Sequence, residues 1–380
     1  MSPSPATITA QIGLSWDHRT GSVSIPIYQS ATFRHPALGE STGYDYSRTG
    51  NPTRQALEEG FARLENGCRG FAYASGMAAI TSLLFLFRRG DHLIVTEDLY
   101  GGTYRLFERI FSSYDLSVTY LDTTDLDAVQ RGIRPETRGI FVETLTNPLL
   151  KIADIPALAS ICRRHDILLI ADNTFLTPLL CRPLDLGAHI SLSSGSKYLA
   201  GHNDVICGLV AVRDDVLAER IAFHQNGAGG ILGPQDAWLT IRGMKTLAVR
   251  LQRQEENART IARHLAQHPR VTRVWYPGLP THPGHETLRK IARGFGAMIS
   301  FEIDDPRLVP QILSRVRVIS FAESLGGVES LITYPALQTH ADIEPEVRER
   351  LGITQTLLRL SVGIEDPHDL IDDLDQALKG

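Results

Sequence analysis

Ser193-Ser194-Gly195-Ser196-Lys197-Tyr198-Leu199-Ala200-Gly201-His202 sets a lysine among small and hydroxyl residues, directly after the β-like run His189-Ile190-Ser191-Leu192. Surface lysines usually lie beside acidic partners, and Lys197 has none within several positions. The hydroxyls of Ser194 and Ser196 are suited to hydrogen bonds with a phosphate. An amine beside a phosphate seat suggests a carbonyl cofactor held as an imine, which means pyridoxal 5'-phosphate. An ordinary loop lysine at a strand end satisfies the same stretch, and the choice between the two lies upstream.

Upstream, Ile167-Leu168-Leu169-Ile170-Ala171 is a continuous apolar run, as expected of a strand covered on both faces. It ends at Asp172-Asn173-Thr174. Asp172 there is either a helix N-cap or a carboxylate beneath a pyridine nitrogen, where it would keep the ring protonated. Before it, Arg138–Glu143 reads as a strand running into Thr144-Leu145-Thr146-Asn147-Pro148, and a helix follows from Asp154 with Pro156 in its first turn. Phe71-Ala72-Tyr73-Ala74-Ser75-Gly76-Met77-Ala78 reads as a strand, a Ser-Gly turn and a helix to about Phe87. A helix opened by small residues carries roughly half a positive charge at its start, which favours an anion. His92–Thr96 is another strand, leading to Tyr100-Gly101-Gly102-Thr103 and a helix with Tyr104, Phe107 and Ile110 on its core face. Tyr100 either packs or offers a ring to a planar ligand. The alternation over residues 70–212 indicates an α/β fold with a mostly parallel sheet, whose ligands gather beyond the carboxyl ends of the strands.

Residues 1–56 read as an extended arm, broken by Pro3, Pro5, Pro26, Pro36 and Pro52. Within it, Asp45-Tyr46-Ser47-Arg48 offers a phenol and a guanidinium suited to a doubly charged anion, or else forms a polar turn. Helical spacing begins at Leu57, Phe61 and Leu64. A large domain is expected over 57–245 and a smaller C-terminal α+β domain over 246–380, bridged by helical periodicity through Asp236–His264. His282-Pro283-Gly284-His285-Glu286 lacks metal-ligand spacing and marks a turn, so no metal is expected. Ala322–Ser330 is a polar, glycine-rich loop. Arg359 sits inside the strand-like Leu357–Val362, and an arginine flanked by aliphatics needs an internal carboxylate or a ligand's.

With 380 residues, 43% hydrophobic and 21% charged, the chain is an ordinary globular protein of formal charge −5. No basic run suggests nucleic acid or an anionic membrane as partner. Cys68, Cys162, Cys181 and Cys207 form no CxxC pair and are expected as reduced thiols. Met1–Pro5 carries no charged segment ahead of an apolar core, and no apolar run reaches spanning length, so a soluble cytoplasmic protein is expected.

The set Tyr46-x-Arg48, Ser75-Gly76-Met77-Ala78, Tyr100-Gly101-Gly102-Thr103, Asp172-Asn173-Thr174, Ser194-x-Ser196-Lys197 and Glu323-Ser324-Leu325-Gly326-Gly327 resembles the Cys/Met-metabolism family of PLP enzymes, of fold type I. The likeness runs collinearly from about residue 8 to 378. It implies that Lys197 holds the cofactor and carries protons, that Asp172 partners the pyridine nitrogen, and that Tyr100 stacks on the ring. Ser75, the backbone at Gly76 and Met77, Ser194 and Ser196 would hold the phosphate. Tyr46 and Arg48 would reach the phosphate of a neighbouring subunit, in a dimer usually paired into a tetramer. Arg359 would clamp the substrate α-carboxylate, supported by Ser324 and Asn147. Two departures stand out: Leu145 where the family commonly has proline, and Ser196 where threonine is commoner.

The family divides into β-lyases, γ-lyases, γ-synthases and thiol-lyases of cysteine and methionine metabolism. Glu323 and Asp45 are similar to positions held by acids in γ-acting members, and Gly101-Gly102 stands where methionine γ-lyases usually carry cysteine. The resemblance implies a cystathionine γ-synthase or O-acylhomoserine thiol-lyase, with cystathionine γ- or β-lyase as the alternative. Arg105 is the candidate second cation for a succinyl ester; Thr49 beside Arg48 is uncharged, which favours the acetyl ester. A PLP-binding protein without turnover remains a different class, and a sugar aminotransferase of the same fold type is a further one.

Overall fold

The computed structural model describes residues 3–14, 17–341 and 343–379. Among them, β1 (Arg69–Tyr73), β2 (His92–Thr96), β3 (Ser117–Leu121), β4 (Thr137–Glu143), β5 (Leu168–Asp172), β6 (Ile190–Ser194) and β7 (Gly208–Val212) build one sheet, in the order β1-β7-β6-β5-β4-β2-β3. From β3 to β6 every neighbouring pair is parallel, while β7 runs antiparallel to β6 and β1. Parallel pairing needs crossovers, and the helices that make them cover the sheet, which is why Leu168–Ala171 is apolar without alternation.

The chain then forms a second sheet from β8 (Val271–Trp275), β9 (Met298–Ile303), β10 (Ser320–Phe321), β11 (Leu331–Thr333) and β12 (Leu357–Ser361), in the order β10-β11-β12-β9-β8. One buried cluster joins the two sheets, with Cys207 and Leu209 in the same core as Ile299, Phe301 and Leu358. The fold is α/β with a mostly parallel large sheet and a smaller second one. No helix among the described residues is long and apolar enough to cross a membrane. The four cysteines are free, with Cys68 exposed and the others buried.

Several elements differ from expectation. The helix expected from Leu57 begins at Pro52, because the Asn51 side chain accepts from the Thr53 and Arg54 amides and proline starts a helix without needing its missing N–H. Residue 56, the expected end of the arm, therefore lies inside a helix. A short helix, Pro5–Ala10, interrupts the arm. The helix after Ser75 ends at Leu84 rather than near Phe87. Asp236–His264 is two helices, Pro234–Met244 and Leu247–Leu265, parted at Lys245-Thr246. There Arg250 folds back, donating from Nη2 to the Gly243 carbonyl at 2.8 Å and from Nε to Thr246 at 3.1 Å. Asp215–Ala228, unassigned from sequence, is helical with Asp214 as its cap. Ile110, expected on a core face, is exposed. The His282–Glu286 stretch is a turn into the helix His285–Ile291, and no metal-binding group of side chains occurs among the described residues.

Glu65, last in its helix, is fully buried; Oε1 accepts from Ser191 at 2.7 Å and Oε2 has no partner among the described residues. Burial pushes its pKa up to about 8. The native state therefore keeps the proton while the unfolded chain loses it near pH 4.3. An acid raised in the fold makes stability decline as pH climbs from the unfolded to the folded value. Thermal midpoints of Glu65→Gln and the parent protein should accordingly diverge between pH 5 and pH 8, in favour of the glutamine. The limit is about 1.4 kcal/mol per pH unit. A pH-independent difference would show that Glu65 is ionised in the fold.

Candidate active site

The carboxyl ends of β4, β5 and β6 lie side by side, with Glu143 paired in register with Asp172 and Asp172 with Leu192. They open into a cavity of about 1080 Å³. Of the residues singled out from sequence, Ser75, Gly76, Met77, Tyr100, Asn147, Asp172, Ser194, Ser196, Lys197, Glu323, Ser324 and Arg359 all line it. Asp45, Tyr46, Arg48 and Arg105 do not. Arg105 is exposed on the helix Gly101–Arg109. Asp45, Tyr46 and Arg48 are exposed on the arm, where Arg48 donates to the Asn226 carbonyl at 2.8 Å and lies 5.7 Å from the centre of the Tyr46 ring.

Lys197 follows β6 in a tight turn. Its Nζ donates to Ser324 Oγ at 2.9 Å, and Ser324 itself takes a positive φ of 98°. Burial first, and the Arg359 charge second, lower the amine to about 8, while Glu323 opposes them. Asp172 is raised to about 6 by burial, against the Thr174 amide and hydroxyl that donate to its Oδ1 at 2.9 and 2.5 Å. The helix that follows, Thr177–Leu180, has Leu176 at its N-cap position, so Asp172 is no cap. The Thr174 hydroxyl also accepts from the Ser194 amide at 2.8 Å, tying the ends of β5 and β6 together.

Ser75 caps the helix Gly76–Leu84 by accepting from the Ala78 amide at 3.0 Å. The amides of Gly76 and Met77 lie outside that helix's own ladder and at the cavity wall. A Cβ on Gly76 would come 3.3 Å from Ser194 Oγ, in the gap between helix start and strand end. The Ser196 hydroxyl is engaged with Cys207, accepting from its amide at 2.8 Å. Beside Tyr100 the Gly101-Gly102 pair leaves little room for side chains. A Cβ at 101 would meet the Thr339 carbonyl at 2.3 Å, and one at 102 the Tyr100 ring at 2.4 Å.

Arg359, in β12, is almost wholly buried. Nη1 donates to Asn147 Oδ1 at 2.7 Å, and Nη2 donates to the Ser324 carbonyl at 3.0 Å and to Thr333 at 3.2 Å. Its Nε is buried with no hydrogen-bond partner among the described residues. Leu145, where the resemblance leads one to expect proline, is buried and bridged to Ile152, leaving Asn147 against the guanidinium.

Among the residues at the site that were not read from sequence are Thr174, Glu143 and His340, and on the cavity wall Asp204, Asp236 and Glu329. Glu143 appeared only as the end of a strand; the available signal was an acid closing an apolar run, as Asp172 does on the next strand. His340 is fully buried and pushed down to about 4 by that burial; as the neutral ring its Nε2 donates to the Asn147 carbonyl at 2.8 Å.

The family described as Cys/Met metabolism PLP-dependent enzyme matches residues 6–379, and the chain belongs to it. It is a pyridoxal 5'-phosphate enzyme of the trans-sulfuration class. Among its relatives, cystathionine gamma-lyase of Bacillus subtilis is 49% identical over 373 residues, covering 98% of either chain. Cystathionine gamma-synthase/O-acetylhomoserine (thiol)-lyase of the same organism is 50% identical over 378 residues, 100% of this chain and 97% of that one. The crystal structure of cystathionine gamma-lyase from Lactobacillus plantarum, complexed with L-serine, superposes with a TM-score of 0.96 at 47% identity over 99% of this chain and 98% of that one. The site suits the cofactor: unladdered amides at a helix start, a buried amine of lowered pKa, a buried carboxylate and a buried guanidinium belong to residues that line one cavity.

Proposed function

We propose that the protein performs γ-replacement: an O-acylhomoserine loses its acyl group and a thiol takes its place at Cγ, cysteine giving cystathionine and sulfide giving homocysteine. The observation that carries this reading is the charge of the outer cavity. Asp204, Asp236, Glu323 and Glu329 border it, and the cations among its described lining residues are the inner Lys197 and Arg359. Such a border disfavours a succinyl carboxylate and favours the ammonium group of an incoming cysteine, so the acetyl ester is the preferred donor. The relative named for O-acetylhomoserine supports the same choice. Cleavage of cystathionine is the second reading, because its distal ammonium would meet the same border and a relative of equal similarity carries the lyase name.

In this reading pyridoxal 5'-phosphate, when bound, supplies an aldehyde for the substrate amine and a ring that takes up the electrons left at Cα. Lys197 would hold it, with Asp172 at the ring nitrogen, Tyr100 over the ring, and Ser75, the Gly76 and Met77 amides, Ser194 and Ser196 around the phosphate. Arg359 receives the substrate carboxylate, with Asn147 and Ser324 keeping the guanidinium in place. Lys197 takes the Cα proton on Nζ. Glu323, close enough to oppose the lowering of the Lys197 pKa, serves the further transfers that Cγ chemistry needs.

The arm, 1–56, would serve a neighbouring copy of the 57–245 and 246–380 domains through Asp45, Tyr46 and Arg48. In support, these side chains are exposed and outside their own cavity, and the arm also exposes the apolar Val23 and Leu38. A cytoplasmic homotetramer is the assembly proposed. The test is a substrate panel on protein of measured mass. Condensation of O-acetylhomoserine with cysteine is expected, at a kcat/KM about tenfold above the succinyl ester. Brisk cleavage of cystathionine with no condensation would overturn the synthase reading, and a fully active monomer the shared arm.

A further inference from the structure

We propose that Glu143 is a positioning residue that locks the loop bearing Tyr100 to the loop bearing Asn147, and through Asn147 holds the Arg359 guanidinium ready for a carboxylate. The inference rests on the reading of Tyr100 as the ring-stacking residue and of Arg359 as the carboxylate clamp. Glu143 ends β4 inside the cavity wall and is nearly buried. Its Oε1 accepts from the Tyr100 amide at 2.8 Å and its Oε2 from the Asn147 amide at 3.0 Å. Those amides belong to different loops, one after β2 and one after β4. Asn147 then passes the connection on, its Oδ1 accepting from Arg359 at 2.7 Å and its carbonyl from His340 at 2.8 Å.

A carboxylate is an expensive choice here. Asp172 lies beside it in register, and burial together with that charge pushes Glu143 well above the usual carboxylate range. An apolar side chain would avoid the cost of a buried acid. What an apolar side chain lacks is two acceptors at the spacing of the two amides. A glutamine offers one acceptor, and its amide group would point donors at a donor. The pair of hydrogen bonds to two loops is thus a reason for an acid at this position, as opposed to the bare need to finish a strand.

The test uses the holoenzyme and follows binding by the cofactor's absorbance, which does not depend on whether the enzyme replaces or eliminates. The ligands are L-norleucine, which has the α-carboxylate, and n-pentylamine, which lacks it. Glu143→Gln is expected to weaken norleucine about tenfold, for one lost and one distorted hydrogen bond, and to leave pentylamine within about twofold. The visible circular dichroism of the bound cofactor should also change as the Tyr100 loop loosens. In Asn147→Ala, where the link to Arg359 is already cut, adding Glu143→Gln should weaken norleucine no further. Equal weakening of both ligands, or an effect that persists in full on the Asn147→Ala background, would overturn the proposal in favour of a general packing role. If Glu143→Gln does not fold, Glu143→Asp, which keeps the carboxyl group but shortens the reach, is read by the same comparison. Wild-type protein that binds the two ligands equally would remove the Arg359 reading and this inference with it.

Discussion

Lys197→Ala lowers kcat by at least about 10³, because it removes the group proposed both to hold the cofactor and to move the Cα proton. Nothing nearby substitutes for it. Among the described side chains lining the cavity, the other cation is Arg359, whose pKa burial lowers only to about 10 and whose Nη atoms are already committed. The amine is prepared for the work by its surroundings: burial and Arg359 bring it to about 8, so a useful fraction is unprotonated near neutrality. The sign follows directly. A base active only when unprotonated gives a rate that rises with pH and levels off above about 8. Borohydride reduction and peptide mapping locate the attachment independently of rate. The tag is expected on the peptide containing Lys197, and a tag on another lysine, or a Lys197→Ala protein of ordinary kcat, would defeat the assignment.

Arg359→Leu raises KM for the amino-acid substrate by on the order of 10² to 10³, with a smaller change in kcat. A charge-assisted contact to a carboxylate in a buried site is worth about 2–5 kcal/mol when one partner is truncated. The guanidinium Nε is buried with no hydrogen-bond partner among the described residues, as expected of a donor kept for a ligand's acceptor. Arg359→Lys restores part of the affinity at most, since an ammonium cannot reproduce the planar fork held by Asn147, the Ser324 carbonyl and Thr333. Steady-state kinetics decides the matter through the division between KM and kcat. An unchanged KM in Arg359→Leu would assign the residue to packing.

The strands were legible where their chemistry is local. Leu168–Ala171 is apolar throughout because both faces are covered, and the helix Ile155–His165 announces itself through the Asp154 cap and Pro156. Arg359 could be singled out because an arginine between leucines has no cheap explanation on a strand. The misread boundaries lie where a side chain turns back on its own backbone. Asn51 starts a helix ahead of its apolar stripe, and Arg250 divides a periodic run whose spacing contains no break.

Lys197, Asp172, Tyr100 and the helix start at Gly76 could be named from residue order, because each follows a strand and strand ends of a parallel sheet converge on one side. Glu143 ends a strand in the same way, but residue order could not give its partners, the amides of Tyr100 and Asn147, one of which is brought near only by the pairing of β2 with β4. The same holds for His340, whose acceptor lies on the other sheet's side of the cavity at Asn147. Residue order thus offered the candidate groups, the family resemblance chose among their readings, and the packing of distant segments settled which of them share a cavity and what holds them there. The reason is that a hydrogen bond between loops depends on register and crossover, neither of which is written in the neighbours of a single residue.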